Sequence, residues 1–298
     1  MARIAHISDI HFGANDPKIV AALDAWLLDA KPDLIIISGD LTQRAKVAEF
    51  EAASAWLDRL RDQGHRLLIV PGNHDIPLYN VMLRFGAPLR RYQRHIAEDL
   101  CPWFESDEVA VLGLNTARSL TIKDGRINHE QMRMLRERFA RVSPDKTRIL
   151  VTHHPLFSMP IGRGNELSEA VGHHDDAVTA VCEAGVHIAL AGHFHRTYAE
   201  SARKMVEKAG AALVIQAGTA TSTRLRNNEP QSFNWIHANG RRDIELQVVV
   251  WDGATFTRGD HVRYLSDGSS WTRHAIDDGG KEAGRAVAQA AAAEAAPG

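Results

Sequence analysis

The chain has 298 residues, of which 44% are hydrophobic, and a formal net charge of −2. That length supports one large core or two small ones, with one domain expected where strands and helices alternate throughout, and the near-neutral charge argues against non-specific nucleic-acid binding driven by counterion release while leaving room for a local basic patch. The two cysteines, Cys101 and Cys182, are too few and too widely spaced for a disulfide framework, and predict reduced thiols in a cytoplasmic protein.

Arg3 to Ser8 reads as a buried strand ending at Asp9-Ile10-His11. Met1 leads into it without the apolar stretch of a secretory leader. Asp16-Pro17 is a helix start, with Asp at the cap and Pro at the first helical position. Val20, Leu23, Leu27 and Leu28 mark one face of that helix until about Ala30, and Pro32 breaks it. Leu34 to Ile37 is wholly apolar, as in a sheet covered on both faces, and ends at Ser38-Gly39-Asp40. A second helix is expected from Val47 to Gln63, stopped by Gly64. The strand Arg66 to Val70 then delivers Gly72-Asn73-His74-Asp75. No core needs Asn, His and Asp side by side, so this cluster at a strand end points to an active-site loop.

Tyr79 to His95 is expected as a basic helix or helical pair whose arginines form a solvated face. Val109 to Leu114 is a strand ending at Asn115-Thr116-Ala117-Arg118, and Asn128 with Gln131 forms a capping box for the next helix. Ile149 to Thr152 ends at His153-His154-Pro155. Residues 156–172 show no periodicity and are expected as a long functional loop near the site. Asp175 and Asp176 read as capping residues of a short helix rather than metal ligands. Val186 to Ala191 ends at Gly192-His193-Phe194-His195, and Leu213 to Gln216 is a further strand. Residues 232–251 carry Asn239-Gly240, the signal of a two-residue type I′ hairpin. One domain is expected over 1–276, with 277–298, rich in Gly, Ala and Glu, as a disordered or weakly helical tail. No apolar run reaches the roughly 18 residues of a membrane span, so no membrane partner is expected.

Strand ends on one edge of an α/β sheet converge on a common site. The ends here carry Asp9 and His11, Asp40, Asn73 and His74, His153 and His154, and His193 and His195. This mixed N/O set without thiolate suits Mn, Fe, Zn or Co, and suits structural zinc or calcium poorly. It exceeds the needs of one ion. Asp9, His11 and His195 can serve one metal, Asn73, His153 and His193 another, and Asp40 can bridge them. Two such ions clamp a phosphoryl group and activate a water between them. Two carboxylates, a hydroxide and a phosphodiester would neutralise two divalent ions, a slight preference for diesters over monoesters. His6 lies within its strand and reads as a hydrogen-bonded core residue. Arg118, after a strand on the active edge, and Arg163, in the long loop, are candidate phosphate contacts.

The blocks Asp9-x-His11, Gly39-Asp40, Gly72-Asn73-His74-Asp75, His153-His154-Pro155 and Gly192-His193-x-His195 resemble, in order, those of the calcineurin-like metallophosphoesterases. Within that family the chain is most similar to bacterial class III cyclic-nucleotide phosphodiesterases and glycerophosphodiesterases, to which Thr116-Ala117-Arg118 and Gly218-Thr219-Ala220-Thr221 add. The resemblance implies two mixed β-sheets packed as a sandwich and flanked by helices. It implies a dinuclear metal-dependent phosphodiesterase in which metal-activated water attacks phosphorus in line. It also implies that His74 is not a ligand but assists the leaving oxygen, with Asp75 holding its imidazole in the needed tautomer. Of the adjacent histidines, His153 is the implied ligand. Strand alternation would turn His154 elsewhere, toward substrate or a supporting position. A phosphomonoesterase, nucleotidase or pyrophosphatase on the same site, or a non-catalytic scaffold, are the competing readings. The edge after Ser232 offers a surface for a homodimer.

Overall fold

The computed structural model describes residues 1–119, 125–157, 174–206, 210–225 and 229–276. The chain opens with alternating strands and helices: β1 (Ala2–Ile7), α1 (Pro17–Ala30), β2 (Leu34–Ile37), α2 (Val47–Asp62) and β3 (Leu67–Ile69). β1, β2 and β3 pair in parallel, so their C-terminal ends lie on one edge. Local signals explain the boundaries. Asp16 Oδ1 accepts the Lys18 N–H at 2.8 Å, and Pro17 supplies the helical φ without a donor to satisfy. β2 is buried along its whole length, which is why its sequence shows no alternation.

Two short helices follow, α3 (Val81–Gly86) and α4 (Arg90–His95), separated where Pro88 interrupts the expected helix. The second sheet is built from β4 (Trp103–Glu105), β5 (Val109–Gly113), α5 (His129–Ala140), β6 (Thr147–Val151), α6 (His174–Glu183), β7 (Ile188–Ala191), β8 (Tyr198–Ser201), α7 (Ala202–Met205) and β9 (Leu213–Gln216). The reciprocal Asn128 and Gln131 cap of α5 forms as the sequence predicts, with Gln131 N–H donating to Asn128 Oδ1 at 2.8 Å. The chain then returns to the first sheet through β10 (Ser232–Ala238), β11 (Asp243–Trp251), β12 (Phe256–Ser266) and β13 (Trp271–Ala275).

The sheets have seven strands in the order β13-β12-β11-β10-β1-β2-β3 and six in the order β4-β5-β6-β7-β9-β8. Both mix parallel and antiparallel pairs. They stack through Ile4, Ile36, Leu68 and Ile236 on one side and Val111, Ile149, Leu190 and Ile215 on the other. α1 and α2 cover the outer face of the first sheet, and α5 and α6 that of the second. Each of these buried aliphatic side chains contributes about 1.5–3 kcal/mol. The fold is therefore an α/β sandwich of two mixed sheets flanked by helices.

The hairpin at Asn239-Gly240 differs from expectation. Gly240 has φ 140°, whereas Asn239 is not left-handed, and pairing resumes only at Ala238 with Ile244. A type I′ turn needs positive φ at both central residues, so the connection is longer than two residues. The meander also continues through β12 and β13, and Trp235 is core, packed edge-on against Trp26 at 5.1 Å. Among the described residues no helix is long and apolar enough to cross a membrane. The expected tail at 277–298 and all but two residues of the expected loop at 156–172 lie outside the described residues.

Candidate functional site

Parallel pairing carries the ends of β1, β2 and β3 to one edge of the first sheet, and β6 and β7 do the same in the second. The loops leaving those ends meet across the sandwich. Their backbone is contorted there. Asp9, His11, Asp40, His193 and His195 have φ of 53°, 55°, 53°, 81° and 56°. Left-handed conformations at non-glycine residues are uncommon and each costs about 1 kcal/mol or more, and such strain clusters at functional sites. The motif glycines make room for the approach. A Cβ on Gly72 would overlap Asp40 Oδ1, and one on Gly192 would overlap Ser8 Oγ.

One group comprises Asp9, His11 and His195, all buried. His11 Nδ1 donates to the Thr42 carbonyl at 3.3 Å and His195 Nδ1 to the Arg224 carbonyl at 3.4 Å. A carbonyl only accepts, so each ring's Nε2 presents its lone pair inward. The two Nε2 atoms lie 3.1 Å apart, and Asp9 Oδ1 sits 3.1 Å from that of His195 and 3.6 Å from that of His11. Asp9 Oδ2 is occupied, accepting from Ser8 Oγ at 2.6 Å and His193 N–H at 2.9 Å, whereas the buried Oδ1 has no hydrogen-bond donor. Three inward acceptors without a proton between them are mutually repulsive, and a cation relieves this. The donor set fits a mixed N/O metal site.

The second group also orients its ring through a backbone carbonyl. His153 Nδ1 donates to the Ser38 carbonyl at 2.8 Å, and its Nε2 lies 3.0 Å from Asn73 Oδ1, which is 3.1 Å from His193 Nδ1. Asp40 joins the groups: its Oδ2 is 3.4 Å from His153 Nε2 and 3.8 Å from His11 Nε2, while Oδ1 accepts the His74 N–H at 2.8 Å. Burial pushes the Asp40 carboxyl upward, but His153, His74 and His11 outweigh it and hold it well below the usual range. Burial likewise raises Asp9, and His195, His11 and His153 override it in the same downward direction. Burial lowers His153, yet Asp40 and Asp9 bring it up to about 9. Positive charge is what these buried carboxylates require, whether from a proton or from a metal.

A family model described as calcineurin-like phosphoesterase matches residues 2–197, which contain both groups. The chain belongs to the calcineurin-like phosphoesterases. This phosphoesterase is 28% identical over 271 residues to a cAMP/cGMP dual specificity phosphodiesterase of Mycobacterium tuberculosis, covering 85% of this chain and 80% of that protein. It is 24% identical over 212 residues to a probable cyclic nucleotide phosphodiesterase of Synechococcus, covering 65% and 74%. A shorter match, 32% over 83 residues, joins 24% of this chain to 29% of a glycerophosphodiester phosphodiesterase of Enterobacter lignolyticus. The fold is shared with a purple acid phosphatase of yellow lupin at TM-score 0.67 and 14% identity, over 86% of this chain and 52% of that one. It is also shared with a dimetal phosphatase of Danio rerio at TM-score 0.59 and 11% identity, over 93% and 99%.

Three sequence expectations about the site of this phosphoesterase need correction, those for Asp75, His154 and Arg118. Asp75 does not touch the His74 ring. It accepts from Gly72 N at 2.9 Å, Leu41 N at 3.3 Å, Thr42 N at 2.9 Å and Thr42 Oγ1 at 3.0 Å, fastening the Asp40 loop to the Asn73 loop. The His74 tautomer is set instead by the Gln43 carbonyl, which accepts from Nδ1 at 2.8 Å and leaves Nε2 on the open side. His74 packs edge-on against His11 at 4.9 Å, which places it beside the first group. His154 is not turned away from His153. β6 ends at Val151, so strand alternation no longer governs the pair, and the rings lie 4.9 Å apart at 85°. His154, His153 and His193 form a third group of convergent nitrogens, and burial holds His154 neutral, its pKa well below the usual value. Arg118 is drawn off to α5, donating to Gln131 Oε1 at 2.6 Å and to the Ala117 carbonyl at 3.1 Å. Arg163 lies outside the described residues.

His6 is the satisfied core histidine its position suggests, with Nε2 2.9 Å from Ser38 Oγ and Asn234 Nδ2 donating to Nδ1 at 3.3 Å. Sequence reasoning missed Ser8, Ser38, Thr42 and Gln43. Their position immediately beside the Asp9 and Asp40 blocks was the available signal, because carbonyls that orient ring nitrogens come from neighbouring backbone whatever the side chain.

Proposed function

We propose that the chain hydrolyses small phosphodiesters at a pair of divalent or transition-metal ions, manganese, iron or zinc. The observation that carries this reading is the set of inward acceptors of Asp9, His11 and His195, joined through Asp40 Oδ2 to Asn73, His153 and His193. Asp9, His11 and His195 would hold one ion, Asn73, His153 and His193 the other, and Asp40 would contact both. Such ions polarise a phosphoryl group and activate water for in-line attack. The diester preference draws support from the relatives named cyclic nucleotide and glycerophosphodiester phosphodiesterases.

The remaining chemistry belongs to the chain's own side chains. His74 Nδ1 keeps its hydrogen on the Gln43 carbonyl, so Nε2 is the nitrogen that takes up a proton and passes it to the departing alcohol oxygen. His154 is a substrate donor. Thr116 Oγ1 accepts the His154 main-chain N–H at 3.2 Å and lies 2.8 Å from Nδ1. With the hydroxyl hydrogen directed to Nδ1, the ring hydrogen sits on Nε2, the buried atom with no partner, ready for a phosphoryl oxygen.

Hydrolysis of bis(p-nitrophenyl) phosphate by metal-reconstituted protein tests the reading. Activity should disappear on chelation, and Asp40→Ala should lower kcat/KM by at least about a thousandfold, roughly 4 kcal/mol of transition-state stabilisation. Undiminished turnover in either sample would sink it. A higher kcat/KM for p-nitrophenyl phosphate would instead make the protein a phosphomonoesterase.

A further inference from the structure

We propose that the segment following the Asn73 block docks the protein onto anionic lipid surfaces. Leu78, Tyr79, Val81, Met82 and Phe85 are all solvent-exposed, with Tyr79 at 75%, Met82 at 86% and Phe85 at 57%. Large apolar side chains rarely cluster on a surface without a partner. This ridge is not a segment that failed to pack. On its inner side Leu89, Tyr92 and Ile96 join the core of the first sheet, and Tyr92 Oη donates to the Ile69 carbonyl at 3.3 Å. Asn80 caps α3 by accepting the Leu83 N–H at 3.0 Å. The ridge is thus a firmly anchored element with an apolar outer face.

Charge identifies the occupant. From Ile76 to Ala97 the sequence has four arginines and no Asp or Glu, in a chain whose net charge is −2; Arg90 and Arg94 are exposed, whereas Arg91 donates to the Ala45 carbonyl at 2.7 Å and Arg84 is buried. Beside the ridge lies a groove of about 280 Å³ with Val47 and Leu83 at hand and Arg90, Arg91 and Arg94 along it, Glu51 being its one acid. Arg44 lies over the Tyr79 ring at 6.0 Å and adds a cation at the other side of the ridge. A twofold contact with a second copy would set this arginine-rich surface, with Glu51 as its one acid, against itself. An anionic bilayer meets both halves of the surface at once. Apolar side chains enter the acyl boundary while arginines meet lipid phosphates. The association is peripheral, and the ridge begins three residues beyond Asp75 in the chain. It does not depend on the hydrolytic reading.

Co-sedimentation of the full chain with vesicles tests this. Wild type should pellet with vesicles of phosphatidylcholine and phosphatidylglycerol in equal parts, and release as salt rises. It should stay in the supernatant with phosphatidylcholine alone. Arg90→Gln with Arg94→Gln should weaken binding by roughly 30-fold, and Met82→Ser with Phe85→Ser by at least about tenfold. Since these side chains are exposed, all variants should retain wild-type Tm. Absence of pelleting, equal pelleting on both vesicle types, or binding unaltered by either double variant would overturn the proposal. So would sedimentation velocity showing a wild-type dimer that Met82→Ser with Phe85→Ser converts to monomer, because the ridge would then be a contact between copies.

Discussion

Histidines occupy two kinds of place in this molecule, and their hydrogen bonds differ. Away from the strand ends, His6 within β1 and His187, half-buried just before β7, have ordinary partners: His6 lies between Asn234 and Ser38, and His187 Nδ1 accepts the Arg148 N–H at 2.9 Å. At the strand ends, His11, His153 and His195 each give one nitrogen to a backbone carbonyl and turn the other toward the buried carboxylates of Asp9 and Asp40. Interior polar groups are normally satisfied. Strand-end groups that are buried, strained and opposed are the ones kept for something other than stability. A core histidine and a functional one therefore differ in what their second nitrogen faces, not in burial.

Three measurements would sharpen or break this contrast. The largest effect should come from His74→Gln. Its ring sits beside the groups without being one of their inward acceptors, so metal content measured by elemental analysis should match wild type. Turnover should fall by about 10²–10⁴, most for diesters with poor leaving groups. Loss of a metal in this variant would mean that His74 belongs with the ligands. Asn73→Ala should lower affinity for one metal by roughly 10–100-fold, with activity partly restored by excess metal.

Most of the fold's first half was legible because its signals are local. The Asp16-Pro17 start, the wholly apolar β2 and the Asn128 box each depend on residues within one turn or one strand. The sandwich itself was implied by resemblance to a family, since periodicity does not report which of two sheets a strand joins. β4, β8, β12 and β13 have no counterpart in the sequence reading because β4, β8 and β13 are short and the exposed face of β12 obscures its apolar positions. In the site, residue types and strand ends announced the convergent side chains, whereas orientation stayed hidden. That Asp75 holds two loops together, that Arg118 is taken by Gln131, and that His154 points inward all depend on contacts spanning tens of residues. The left-handed backbone at Asp9, His11, Asp40, His193 and His195 carries no composition signal apart from the glycines nearby.

The smallest effect lies in the interior. Burial lowers the His187 pKa to about 4, assisted by Arg148, Arg241 and Arg242, and burial lowers His6 to about 3. Both values are below the roughly 6.5 of an unfolded chain. Above that pH neither state binds the proton, and these residues leave stability unchanged. As pH falls below it the unfolded state is protonated first, so folding stability is lost progressively until the folded-state pKa is passed. Wild-type metal-free protein should therefore weaken between about pH 6.5 and pH 4. His187→Asn keeps an acceptor for the Arg148 N–H without a titrating ring. Denaturant titrations should show it losing about 1 kcal/mol less than wild type by roughly pH 5.5. An unchanged pH slope would mean that the proton is accommodated at His187 in the folded chain. The satisfied interior would then tolerate charge as the strand ends do, and the distinction between the two kinds of histidine would fail at its conservative end.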